Sequence, residues 1–366
     1  MSLQLLPNLD TLTWHSSVAG IESISYFIHE PLKELIFETR MIVTEDHQSE
    51  CIESALACLV NRCPGLRRLY AHDFPPKILA NLGSRLEFLS FAVRRPGFFS
   101  ALSSFQNLTR LDLESSFSTE ILSSIIFDEE DVTVWPTLPK LRSLSVKCFT
   151  LRAAAAMLGG LETNELSRFQ FSQPHNAIRG AWTAESVHLL CAALARFSKS
   201  LTWLQIFCFG GGPGNVGSAA IEPLLELHHL TEVSLRWPRG TIILDDARAS
   251  RLLRSFSKAR VMHLSVHGHS VRTMHLLATL CPEVKEVDFG DVDASSCEQD
   301  LLSIGEVDAR HTQLKHLTAY FAHLDSKAIN PLINFIADIF PNLESISIHP
   351  DIVDTALNDR GAACDL

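Results

Sequence analysis

The chain has too little positive charge to read as a general binder of nucleic acid or anionic membrane. Its 366 residues hold 31 Lys and Arg against 42 Asp and Glu, a formal net charge of −11, and no basic cluster supplies the footprint that such ligands need. It has no run of about eighteen apolar residues, the length a transmembrane helix requires. Its first residues, MSLQLLPNLDTLTW, lack the basic segment and cleavage site of a secretory leader. Nine cysteines are odd in number and lack C-x-x-C spacing. Cys58, Cys191 and Cys208 sit among apolar neighbours, where a thiol packs as a small hydrophobe. These absences point to a reducing compartment, the cytosol or nucleus.

What the sequence has in abundance is one apolar pattern, L-x-x-L-x-L. It is clearest in Pro139 to Val146 (PKLRSLSV), on Leu141, Leu144 and Val146. Similar triplets include Leu9/Leu12/Trp14, Leu66/Leu69/Ala71, Leu108/Leu111/Leu113, Leu166/Phe169/Phe171, Leu201/Leu204/Ile206, Leu230/Val233/Leu235, Val261/Leu264/Val266 and Leu343/Ile346/Ile348. Thirteen copies between Leu9 and Leu343 give a mean period of about 28 residues. The last two apolar positions of each copy alternate with polar ones, the period of a short strand buried on one face. Helix-like segments lie between copies. In Thr183 to Phe197, Thr183 can cap a helix whose stripe is Val187, Leu190, Leu194 and Phe197. A strand, a crossover and the next parallel strand turn right-handed, so stacked units predict an α/β solenoid, a curved horseshoe with parallel strands on the concave face and helices on the convex face. A repeat array folds as one unit, so residues 1–366 are expected to form a single domain of about 13 repeats, with 351–366 as a C-terminal cap and tail.

This pattern resembles the leucine-rich-repeat proteins, and more narrowly the cysteine-containing repeats of F-box proteins. The phrases Cys63-Pro64-Gly65-Leu66-Arg67-Arg68-Leu69, Cys281-Pro282-Glu283-Val284-Lys285-Glu286-Val287 and Phe340-Pro341-Asn342-Leu343-Glu344-Ser345-Ile346 carry the resemblance, which covers nearly the whole chain. The departure lies three residues after the strand, where the family has Asn or Cys and this chain has Phe74, Ser116, Phe149, Phe209, His269 or Val292. The resemblance implies a protein-recognition scaffold, the substrate-binding part of an F-box-type ubiquitin-ligase adaptor. Cullin-type ligase components are expected as partners only if an F-box lies upstream, because Met1 to Pro7 is too short to hold one. One alternative is a stand-alone repeat protein that regulates a small GTPase or other signalling partner; the other is an enzyme using the Gly212–Gly217 or Gly268–Ser270 loop.

Three motifs suggest chemistry, and each has a simpler reading. Gly212-Pro213-Gly214-Asn215-Val216-Gly217 matches G-x-G-x-x-G between a strand and a helix, but Pro213 removes a phosphate donor and the next strand ends in Arg236 rather than a ribose-binding acid. Gly268-His269-Ser270-Val271-Arg272 is similar to a nucleophile elbow, but Arg272 stands where a small residue is required, and Ser270 suits a helix cap. His263, His267, His269 and His275 are dense, yet His263 and His267 lie about 13 Å apart on a strand, too far to share a metal ion. No catalytic, cofactor-binding or metal-binding residue is assigned, and no enzyme activity is expected.

The residues that alternate with the buried strand positions should line the concave face. Among them Arg168, Trp203, Phe207, Arg236, His263 and His267 form the expected partner-binding surface. Trp203 flanked by Arg168 and Arg236 has the composition of an interface hot spot for an acidic or aromatic protein segment. Glu232 and Glu286 are expected on either side of His263. The acidic loop Asp128 to Asp131 and the insertion Gln173 to Trp182 are further candidates.

Overall fold

A computed structural model describes residues 6, 8–16, 23–24, 26–39, 57, 59–71, 76–93, 98–115, 137–173, 183–208, 216–238, 242–266, 268–304 and 310–352. The chain divides into two compact units, Met1–Gln173 and Pro174–Leu366. The first holds strands β1 (Thr11–Ser16), β2 (Glu34–Thr39), β3 (Arg68–Ala71), β4 (Phe88–Val93), β5 (Arg110–Ser115), β6 (Ser143–Lys147) and β7 (Arg168–Gln173). The second holds β8 (Trp203–Cys208), β9 (Glu232–Arg236), β10 (Val261–Ser265), β11 (Glu286–Asp293), β12 (His316–Leu324) and β13 (Ser345–Ile352). Within each unit every strand pairs in parallel with the next in sequence. One strand per repeat, with helices between, is the expected α/β architecture.

Backbone hydrogen bonds at the entry to each strand set the register. The carbonyl of the residue before one strand accepts two N–H groups from the next repeat: Lys33 O from Arg67 and Arg68, Thr202 O from Thr231 and Glu232, Arg260 O from Lys285 and Glu286. Thr231 O accepts from Arg260 and Val261 in the same way. This corrects one repeat. Met262 pairs with Val233 and Leu264 with Leu235, so the triplet is Ala259/Met262/Leu264, two residues earlier than Val261/Leu264/Val266. Ala259 is fully buried and Val261 lies on the open face of the sheet. Leu264 and Val266 remain buried, because a strand's side chains alternate with period two and a two-residue slip leaves each on its own face.

Leu144, Leu204 and Leu264 are buried as expected. Two positions differ. Ile346 is 45% exposed, since β13 pairs only with β12 among the described residues. Ser145 alternates with the core yet is 6% exposed; it stands in register between Asp112 and Gln170. Asp351 and Ile352 extend β13, so the expected cap helix does not begin at Asp351; 353–366 lie outside the described residues. The helix Ala184–Ala195 opens with a capping box, Thr183 Oγ1 accepting from Ser186 N–H and Ser186 Oγ from Thr183 N–H. Its stripe Val187, Leu190, Leu194 and Phe197 is buried.

Polar contacts between repeats sit three residues before the first apolar position in four repeats. The Cys63 thiol donates to His29 O at 3.3 Å and the Cys281 thiol to Leu253 O at 3.2 Å. Thr163 Oγ1 donates to Leu141 O at 3.2 Å. His311 Nδ1 accepts from Leu314 N–H, so Nε2 carries the proton and donates to Cys281 O at 2.8 Å. Each contact ties its repeat to a carbonyl of the preceding one; His29 O and Cys281 O also accept from Leu32 N–H and Val284 N–H, so there it is the buried Cys63 or His311 donor that would otherwise go unpaired. Burial pushes the Cys63 and Cys281 thiols up to about 12, which keeps them protonated and inert. By cavity formation, Leu204→Ala should cost about 2 to 5 kcal/mol of stability in chemical denaturation. Ser265→Ala, on the open face, should change it by about 0.5 kcal/mol or less.

Candidate functional site

The open face of the second unit is built in rows, one residue per strand. One row runs Trp203, Glu232, Val261, Glu286, His316 and the next Gln205, Ser234, His263, Asp288, Thr318. A third begins Phe207, Arg236, Ser265. On β11 the alternation changes at Gly290, whose φ is +63°. A Cβ there would meet Ser265 Cα at 2.8 Å, so glycine alone suits both the space and the left-handed backbone. The bulge adds one residue and reverses the parity that follows. Val292 is thereby buried, and Asp291 and Asp293 join Glu286 and Asp288 on the open face. Sequence reasoning missed Asp291 and Asp293; the signal was Phe289-Gly290, a glycine breaking strict alternation.

The centre of this face is an ion cluster around Asp288. Its Oδ2 lies 3.7 Å from Arg236 Nη2 and 3.8 Å from His263 Nδ1, and its Oδ1 accepts from Gly290 N–H at 3.0 Å. His263 Nε2 lies 3.6 Å from Glu286 Oε1. Arg236 also places its Cζ 5.4 Å from the Phe207 ring centroid, a cation–π contact that orients the guanidinium. Burial raises the Asp288 carboxyl, but His263, the Gly290 N–H and the Arg236 charge outweigh it and hold the group below its ordinary value.

The expected surface is thus rearranged. His263 stands between Ser234 and Asp288, not between Glu232 and Glu286, because of the two-residue slip; Glu286 still reaches it diagonally. Arg236 lies opposite Phe207, and the neighbour of Trp203 on β9 is Glu232. Arg236 is therefore about 13 Å along the strand direction from the Trp203 row and does not flank it. Trp203 and Phe207 are half-buried. Arg168 belongs to β7 of the first unit, in register with Ser143. His267, Asp128 to Asp131 and 174–182 lie outside the described residues.

The loops weighed for chemistry have structural partners. Ser270 Oγ donates to Asp246 Oδ2 at 2.8 Å and accepts from Arg272 N–H, while Thr273 Oγ1 donates to Asp246 Oδ1. Asp246 thus joins the starts of helices Asp246–Ser255 and Arg272–Leu280. His269 is buried, its ring 5.6 Å from Phe289, away from His263 on the open face. Gly217 precedes a 3-10 helix, Ser218–Glu226, that contains Pro223; 209–215 lie outside the described residues.

One parallel strand per repeat, entered through L-x-x-L-x-L and locked by a shared carbonyl, decides the architecture. The fold is that of the leucine-rich-repeat proteins. No protein-family model and no curated protein matches the chain. Two solved structures are similar to this leucine-rich-repeat chain. The Rad7 and Elc1 complex of yeast matches with a TM-score of 0.48 and 15% identity, over 97% of this chain and 80% of that one. A leucine-rich-repeat protein of Leptospira interrogans matches with a TM-score of 0.34 and 12% identity, over 96% and 83%. No helix among the described residues is long and apolar enough to cross a membrane.

Because the fold prefers ionised Asp288, the stability this group contributes is complete above its ordinary value of 3.8 and is lost as pH falls through the lowered folded value. Stability curves of the leucine-rich-repeat chain and its Asp288→Asn variant should therefore differ near neutral pH and converge in acid. A carboxyl titration by NMR should place Asp288 below 3.8.

Proposed function

We propose that this chain is a non-enzymatic protein-recognition scaffold whose second unit holds a partner segment on its open face. The supporting observation is the Phe207–Arg236–Asp288–His263 cluster: an aromatic ring, a guanidinium and a carboxylate, part-exposed and fixed on four neighbouring strands. Strands hold side chains with little freedom left to lose on binding, which favours recognition. Trp203 adds apolar area on the same face, and Arg236 can offer paired donors to a carboxylate. An acidic or aromatic segment is the partner proposed. The six described cysteines are free, five of them buried, which supports a reducing compartment, the cytosol or nucleus.

The finer reading is the substrate-binding part of an F-box-type ubiquitin-ligase adaptor. It rests on the Cys-Pro phrases at Cys63 and Cys281, whose thiols join successive repeats. Partners captured by the intact chain and identified by mass spectrometry test the first reading. Trp203→Ala/Arg236→Ala should lower their affinity by about 2 kcal/mol, roughly thirtyfold. Unchanged capture by this variant, still folded, would move the site off this face. For the finer reading, cullin-type ligase components should co-purify with the protein expressed from its natural gene; their absence would leave the scaffold without that role.

A further inference from the structure

Strands β3 to β7 of the first unit carry Arg68, Phe88, Arg110, Ser143 and Arg168 at one register level. The arginines therefore occupy alternate strands and, with about 4.8 Å between neighbours, stand about 10 Å apart. All three are exposed. Two of them are held in place by their surroundings. Arg110 Nε and Nη2 donate to Asp112 Oδ1 and Oδ2 at 3.2 and 2.8 Å, and its Cζ lies 5.0 Å from the Phe88 ring centroid. That ring packs against Tyr70 at 4.5 Å. Arg68 Nη1 lies 3.6 Å from Glu34 Oε2. A guanidinium carries more N–H groups than one carboxylate occupies, so both keep donors for a further anion.

We propose that this row binds an acidic peptide segment in the polyproline II conformation. Charge selects the sign: three guanidinium groups share the row with one carboxylate, Glu34, among the described residues, on a chain whose net charge is −11. Spacing selects the conformation. Polyproline II has three residues per turn and rises about 3.1 Å per residue, so side chains three apart line up about 9.3 Å from one another. That matches the arginine spacing, whereas side chains on one face of a β-strand recur about every 6.6 Å and fall out of step. Lying across the strands, such a segment sets one carboxylate over each arginine as a charge-assisted pair. Being extended before it binds, it loses little conformational entropy. Only residues of the first unit take part, and none of the cluster around Asp288 is among them.

Fluorescence anisotropy with the intact chain tests it. One labelled peptide carries glutamate at every third position with prolines between, a second the same number of glutamates at every second position, and a third glutamines in their place. The first should bind about tenfold more tightly than the second, and Arg68→Gln/Arg168→Gln, at exposed positions, should abolish about that much of its affinity. Equal affinity for the two spacings, undetectable binding of the first, or binding that survives in the folded double variant would overturn the proposal. So would tighter binding of a single-stranded oligonucleotide or of phosphatidylserine vesicles at the same salt concentration, which would make the row a phosphate-binding surface.

Discussion

Each repeat enters its sheet by giving two N–H groups to one carbonyl of the repeat before it. Asp10 O, Lys33 O, Arg67 O, Glu87 O, Thr109 O and Arg142 O are the acceptors in the first unit, and Thr202 O, Thr231 O, Arg260 O, Lys285 O and Lys315 O in the second. The shared acceptor fixes where the strand begins, and the pleat then decides which side chains meet the helices and which stay on the open face. Everything the protein displays to a partner follows from that starting point. A one-residue error at entry would turn each strand's apolar set outward, which the buried leucines do not tolerate.

The helix side is held by a second set of contacts. Cys63, Thr163, Cys281 and His311 occupy one slot in their repeats and reach back to carbonyls of the preceding repeat. Residues as unlike as a thiol, a hydroxyl and an imidazole serve there, because the slot asks for a compact donor and the carbonyl does not distinguish among them. Where Phe105, Phe256 or Phe340 fills the slot, burial replaces the hydrogen bond. The departure from the family's usual Asn or Cys position thus leaves the core intact.

On the open faces the same geometry carries two chemistries. In the second unit, the glycine bulge of β11 adds Asp291 and Asp293 to Glu286 and Asp288 on the open face, where Arg236 meets Asp288 and His263 meets Asp288 and Glu286. In the first, arginines recur on alternate strands and rest on aromatic and acidic neighbours. Open-face side chains are coupled only to their nearest neighbours, so charge can change from repeat to repeat without disturbing the core.

The apolar triplets were legible because burial writes a period into sequence: Leu144, Leu204 and Phe289 could be assigned to the core from spacing alone, and the capped helix beginning at Ala184 from Thr183 and its stripe. A parallel strand per repeat follows from those facts and chain chirality, so the architecture was determined by the sequence itself. Which open-face residues meet was not. Ala259 is a weak mark for a core position, and choosing Val261 instead displaced His263 by two residues and put an open-face valine in the core, while leaving Leu264 and Val266 on their own face. The bulge at Gly290 left a fainter mark, a glycine after Phe289 and a step of three rather than two to Val292. Lateral neighbours such as Arg236 over Phe207 and His263 beside Asp288 depend on inter-strand register, which backbone hydrogen bonds between distant residues decide; side-chain alternation, having period two, cannot tell one register from another two residues away.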